Sequence, residues 1–180
     1  MTDQELEALR FPTGRLEPRT GLTDQEREGL ILEIASMPMA LLDVVRPMSD
    51  EQLDTPYREG GWSVRQVVHH LADSHINGYV RFKLGMTEDS PAIKGYDQDL
   101  WGSLDDARTA PVELSLMLLG ALHERWAMWL QSLQPQDFQR TVQHPDFGEV
   151  SLEINLQIYA WHGLHHLTHI RALRDREGWE

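Results

Sequence analysis

The chain contains no cysteine. Disulfides and thiolate metal ligands are therefore excluded, and any thiol chemistry must use a thiol supplied from outside. No apolar run approaches the ~20 residues a membrane-spanning helix needs, and Met1 to Arg10 is polar and acidic rather than signal-like. A cytoplasmic protein without a membrane partner is expected. Basic residues are scarce: 16 Lys and Arg against 29 Asp and Glu give a formal net charge of −13. A non-specific nucleic-acid binder needs a basic face to displace counterions, so nucleic acid is not an expected partner. Internal repeats and low-complexity segments are also missing.

What is present is enough apolar residue for one core: 41% of 180 residues are hydrophobic, which suits a single domain. Residues 1–22, with Pro12, Gly14, Pro18 and Gly21, read as an extended N-terminal arm, and 23–180 as the domain. Thr23 to Glu26 has the capping-box pattern and predicts a first long helix from about Asp24 to Val45, kinked or loosened at Pro38. Ser49 to Leu53 reads as a short capped turn. Gly60-Gly61-Trp62-Ser63 breaks the chain, and Ser63 with Gln66 caps a second helix to about Met86. After a loop over Pro91 to Leu104, in which Trp101 is expected to fold onto the core, Pro111 opens a third helix to about Leu133. Its apolar positions are read as Leu114, Met117, Leu118, Ala121, Leu122, Trp126 and Leu130. Gln139 to Leu152 reads as a small hairpin or a crossover. A last helix, about Ser151 to Glu177, stops at Gly178. Four long amphipathic helices predict an all-α four-helix bundle, an architecture that builds metal sites from facing side chains.

Four of the nine histidines lie within eight positions of that last helix: His162, His165, His166 and His169. At 100° per residue from His162, His166 falls near +40°, His169 near −20° and His165 near −60°. All four share one side. Two pairs, His162/His166 and His165/His169, have the i, i+4 spacing at which two imidazoles can reach one metal ion. Buried histidines bonded to their neighbours are the alternative. A third ligand must come from elsewhere, and His70 is the natural candidate. It shares a polar face with Asp73, Ser74 and Asn77, whereas His69 points about 100° away. Trp126, Trp129 and Trp161 read as core.

The run Asp54-Thr55-Pro56-Tyr57-Arg58-Glu59-Gly60-Gly61-Trp62-Ser63-Val64-Arg65-Gln66-Val67-Val68-His69-His70-Leu71-Ala72-Asp73-Ser74-His75 resembles the YfiT-like branch of the DinB-like superfamily. So do Arg81 to Leu84, Pro91 to Ile93, Tyr96-Asp97 and the block from Trp161 to Ile170. The resemblance covers about residue 10 to the end. It implies an up-down-down-up four-helix bundle holding one divalent metal, zinc or nickel, on three histidines: His70, His162 and His166. Members are usually described as metal-dependent hydrolases, and some dimerise, so a small-molecule substrate and a homodimer are expected. Related enzymes transfer low-molecular-weight thiols such as bacillithiol.

Three histidines leave an open coordination position, where a water could be acidified for hydrolysis or a thiol for S-transfer. Asp73 and Asn77 are candidates for contacts to ligands or substrate. Arg65 and Arg81 are candidates for binding carboxylates of a thiol cofactor. A non-catalytic, stress-associated metal-binding bundle is the alternative function.

Overall fold

The computed structural model describes residues 2–179. Among these, eight α-helices run in the order α1 Asp3–Arg10, α2 Asp24–Val45, α3 Asp50–Leu53, α4 Val64–Thr87, α5 Gln98–Gly102, α6 Asp105–Thr109, α7 Val112–Gln131 and α8 Leu152–Glu177. Strands β1 Thr141–His144 and β2 Gly148–Ser151 form the antiparallel hairpin before α8. The expected caps are present at both ends of the fold. Thr23, Ser49 and Ser63 each accept a bond from the backbone N–H three residues on. Gly178 ends α8 with φ of 66°, a left-handed conformation that glycine adopts without a Cβ penalty. No helix of the described residues is long and apolar enough to cross a membrane.

The bundle is built from α2, α4, α7 and α8. Helix α2 packs on α7 and α8, and so does α4. The sequence neighbours α2 and α4 therefore occupy diagonal corners. Two apolar clusters fill the interior, one around Leu41, Val68, Leu71 and Leu119, the other around Ile34, Phe82, Trp126 and Leu156. Between them lies a layer of buried imidazoles.

Three expectations need correction. The arm is not wholly extended: it begins with α1, whose N-cap Thr2 makes a full capping box with Glu5. The α7 register differs from the apolar reading. Leu114, Met117 and Leu118 are exposed, and the buried stripe runs Val112, Leu116, Leu119, His123, Trp126, Leu130. A helix apolar on nearly every side leaves that choice to its neighbours. Trp101 packs at a tilt against Tyr96, centroids 4.3 Å apart, but remains 39% exposed rather than entering the core.

Pro38 lies inside α2, which continues through it. Proline has no N–H, so the carbonyl of Ile34, four residues back, lacks its helical partner. His123 of α7 supplies one: its Nδ1 lies 2.6 Å from that oxygen.

Close helix approach is visible at Gly78 of α4. A Cβ there would lie 2.4 Å from the Tyr159 ring. Gly78→Ala must displace a ring that is itself buried, and should destabilise the fold by about 1–3 kcal/mol. Chemical denaturation measures this, and an unchanged midpoint would show that the ring yields freely.

Candidate metal centre

Helix α8 presents two adjacent polar stripes, and they face different partners. The outer stripe repeats every four residues and is bound by the N-terminal arm. Glu153 accepts from the backbone N–H of Gly21 (2.8 Å) and of Leu22 (3.2 Å). The Gln157 amide accepts from Arg19 N–H at 3.0 Å and donates to the Arg19 carbonyl at 2.7 Å. Trp161 Nε1–H donates to the Gly14 carbonyl at 3.3 Å, and His165 Nδ1 lies 3.3 Å from Thr13 Oγ1. His169 Nε2–H donates to the Arg10 carbonyl at 3.1 Å. An extended segment can follow a helix only if bonding groups recur along one face, and the i, i+4 spacing provides that recurrence. His165 and His169 are two steps of this ladder.

The inner stripe, His162 and His166, turns toward α4. There His70, His162 and His166 bring one ring nitrogen each to within 4.8 Å of one another. His70 Nε2 and His162 Nε2 are 3.2 Å apart. Ligands about 2.0–2.1 Å from a tetrahedral ion stand about 3.3 Å apart, so this spacing suits a shared divalent metal. Burial pushes the His70 pKa down to about 4, and holds His162 and His166 well below the ordinary imidazole value, with the neighbouring histidines adding to the effect. Neutral imidazoles offer the lone pairs a metal requires. The Trp62 ring lies over His70, with centroids 4.6 Å apart.

His162 is shared by two cavities. One, about 530 Å³, lies under the arm and is also walled by Arg10, Phe11, Arg58, Trp62 and Trp161. Trp161 thus lines the approach to the histidines and stacks on His165 at 4.4 Å rather than joining the core. The other cavity, about 520 Å³, is walled by Arg81, Tyr96, His144 and Tyr159. His162 is therefore bordered from both sides of α8, and His166 from the arm side.

The remaining candidate residues are placed differently. Arg81 belongs to the second cavity, donating to Tyr159 Oη at 3.0 Å, with no carboxylate paired to it among the described residues. Arg65 does not reach either cavity. Its guanidinium is held by Asp54 (2.6 Å), Asp50 (3.0 Å) and the Ala110 carbonyl (3.2 Å), pinning α4 to the preceding loop and to the start of α7. Asp73 and Asn77 do not line the cavities either: the Asn77 amide donates to the Asp73 carbonyl at 2.8 Å, within α4. The Asp73 carboxyl is half-buried and shifted upward, first by desolvation and then by Asp106. His69 turns toward α7, with Nδ1 2.7 Å from Ser115 Oγ and Nε2 3.1 Å from the Ala110 carbonyl. His123, buried on the inward stripe of α7, is a member of the centre's surroundings that the sequence pattern does not single out, because α7 is apolar on nearly every side.

A profile of the DinB superfamily matches residues 33–170. The chain belongs to the DinB superfamily. Its DinB relatives include the Bacillus subtilis protein named "Putative metal-dependent hydrolase YfiT", 48% identical over 172 residues, which span 95% of this chain and 97% of that one. A Bacillus mycoides protein carrying the same "Putative metal-dependent hydrolase" description is 46% identical over 171 residues, 95% of this chain and 98% of its own. Among solved structures, B. subtilis YfiT, described as "a probable metal-dependent hydrolase with an unusual four-helix bundle topology", superposes with a TM-score of 0.94 at 46% identity, covering 96% of this chain and 99% of that one. The four-helix bundle protein TT2238 shares the fold at a TM-score of 0.59 and 22% identity, over 81% of this chain and 98% of that one. The four-helix bundle expected from sequence is thus shown, and so is the YfiT resemblance.

Proposed function

We propose that this DinB-superfamily chain is a metal-dependent hydrolase whose one divalent ion, zinc or nickel, is held by His70, His162 and His166. The observation that carries the reading is the convergence of three neutral imidazoles, two buried and His162 partly so, at a point bordered by two cavities. A closed structural site would instead surround its ion with four protein ligands. An ion so held supplies Lewis acidity toward a substrate oxygen and lowers the pKa of a bound water or thiol. The names of the B. subtilis and B. mycoides relatives support the same reading.

The chain's own residues do the rest. Trp62 packs against the His70 ring at a tilt, with centroids 4.6 Å apart. Arg81 and Tyr159 present donors on the wall of the second cavity, where they would orient an acidic or carbonyl group of a small substrate. A finer reading is transfer of a low-molecular-weight thiol. The chain has no cysteine, so that thiol must be a co-substrate, and Arg81 is the cation placed to receive its carboxylate.

Assays of zinc- or nickel-loaded protein against ester and amide panels, with and without added thiol, separate the readings. Metal-dependent turnover without thiol is the expected result. Turnover only with thiol would replace hydrolysis by transfer. Metal binding without turnover in either assay would leave a non-catalytic metal-binding bundle.

A further inference from the structure

Behind His162 a line of imidazoles crosses the whole bundle. His162 Nδ1 lies 3.1 Å from His75 Nε2, and His75 Nδ1 lies 2.9 Å from His123 Nε2. His123 Nδ1 lies 2.6 Å from the Ile34 carbonyl. Each member comes from a different helix: α8, α4, α7 and α2. His75 and His123 are both fully buried, with 0% exposure, and their rings stack at 4.8 Å.

The direction of these bonds is determined at one end. A carbonyl can only accept, so His123 carries its proton on Nδ1. A neutral imidazole with Nδ1–H has a bare Nε2, which must accept from His75 Nδ1–H. His75 Nε2 is then bare and accepts from His162 Nδ1–H. His162 is left with its lone pair on Nε2, the atom that stands 3.2 Å from His70 Nε2. Pro38 completes the logic: having no N–H, it leaves the Ile34 carbonyl available as the terminal acceptor.

We propose that Ile34, His123 and His75 form a tautomer lock that presents His162 Nε2 to the metal, with His75 and His123 as positioning residues. The lock rests on the three-histidine metal reading above. Outer hydrogen bonds of this kind fix a ligand's tautomer and ring orientation, and their loss costs about 10–100-fold in metal affinity.

Two measurements test the lock. Long-range proton–nitrogen correlation spectra of metal-free, histidine-labelled wild type should show His75, His123 and His162 all protonated at Nδ1. His162 protonated at Nε2 would overturn the lock without touching the metal site. Chelator competition should then show His75→Leu weakening zinc about 10–100-fold. His75→Gln, whose side-chain oxygen can accept from His162 Nδ1–H, should recover part of that loss. A folded His75→Leu variant with wild-type affinity would overturn the proposal. Should His75→Leu fail to fold, the wild-type spectra still decide. Failure of wild type to bind zinc or nickel at all would instead remove the metal reading and, with it, the purpose assigned to the lock.

Discussion

Glu153→Ala should lower the stability of the chain by about 3–5 kcal/mol, the range for removing one partner of a buried ion pair. Glu153 is fully buried, and its carboxylate holds Arg27 Nη1 at 3.0 Å as well as the backbone N–H groups of Gly21 and Leu22. Removal leaves the backbone donors of Gly21 and Leu22 without their acceptor and takes one of the partners of Arg27 Nη1. Asp24 and the Leu22 carbonyl still bond Arg27, which favours the lower end of the range. Glu153→Gln keeps the shape and one acceptor oxygen and should lose distinctly less. Denaturant unfolding of both variants checks this, and a loss below about 1 kcal/mol for the alanine variant would contradict it. The arm should loosen as well, because Glu153 is the first step of the ladder that lays it along α8.

The second large effect is on metal binding. His70→Ala, His162→Ala and His166→Ala each remove one of the three proposed ligands. Each should weaken zinc or nickel by more than the about 10–100-fold expected for loss of an outer partner. His169→Ala breaks the bond to the Arg10 carbonyl and a 3.4 Å contact with His166, and should weaken binding less. Thermal unfolding supplies an independent readout. Metal at about 1,000 times its dissociation constant adds about 4 kcal/mol of stability. At that same metal concentration the increment should fall to about 1.4 kcal/mol or less in the three ligand variants if each weakens binding 100-fold or more, while their chelated forms remain folded. Equal metal-dependent stabilisation in His162→Ala would contradict the assignment.

Much of the fold was legible because its signals are local. Thr23, Ser49 and Ser63 mark helix starts through side chain–backbone bonds that span three residues, and Gly178 marks the last helix's end in the same way. The inward face of α7 was not legible. With apolar residues on both sides, only packing against α2 and α4 decides that Leu119 and His123 turn inward while Met117 turns out. The same limit hid the role of His123, whose partners are 48 and 89 residues away in sequence.

The candidate site was legible in composition and only partly in geometry. Spacing alone placed four histidines of α8 on one side and left two pairs open. On a helical wheel the two pairs lie about 60° apart, and the structure gives them different partners. His162 and His166 converge with His70, while His165 and His169 hold the arm. Choosing between the pairs requires knowing which stripe faces α4, a tertiary fact. Arg65 shows the converse: a cation beside a predicted site is committed to Asp50 and Asp54, contacts the α4 pattern could not reveal.

The most direct test of the metal centre is anomalous diffraction at the zinc or nickel edge from crystals of the metal-loaded wild-type chain. The structure predicts one anomalous peak per chain, about 2.0–2.1 Å from one nitrogen each of His70, His162 and His166, with no fourth protein ligand. A peak on His165 and His169, or none at that point after loading, would contradict it.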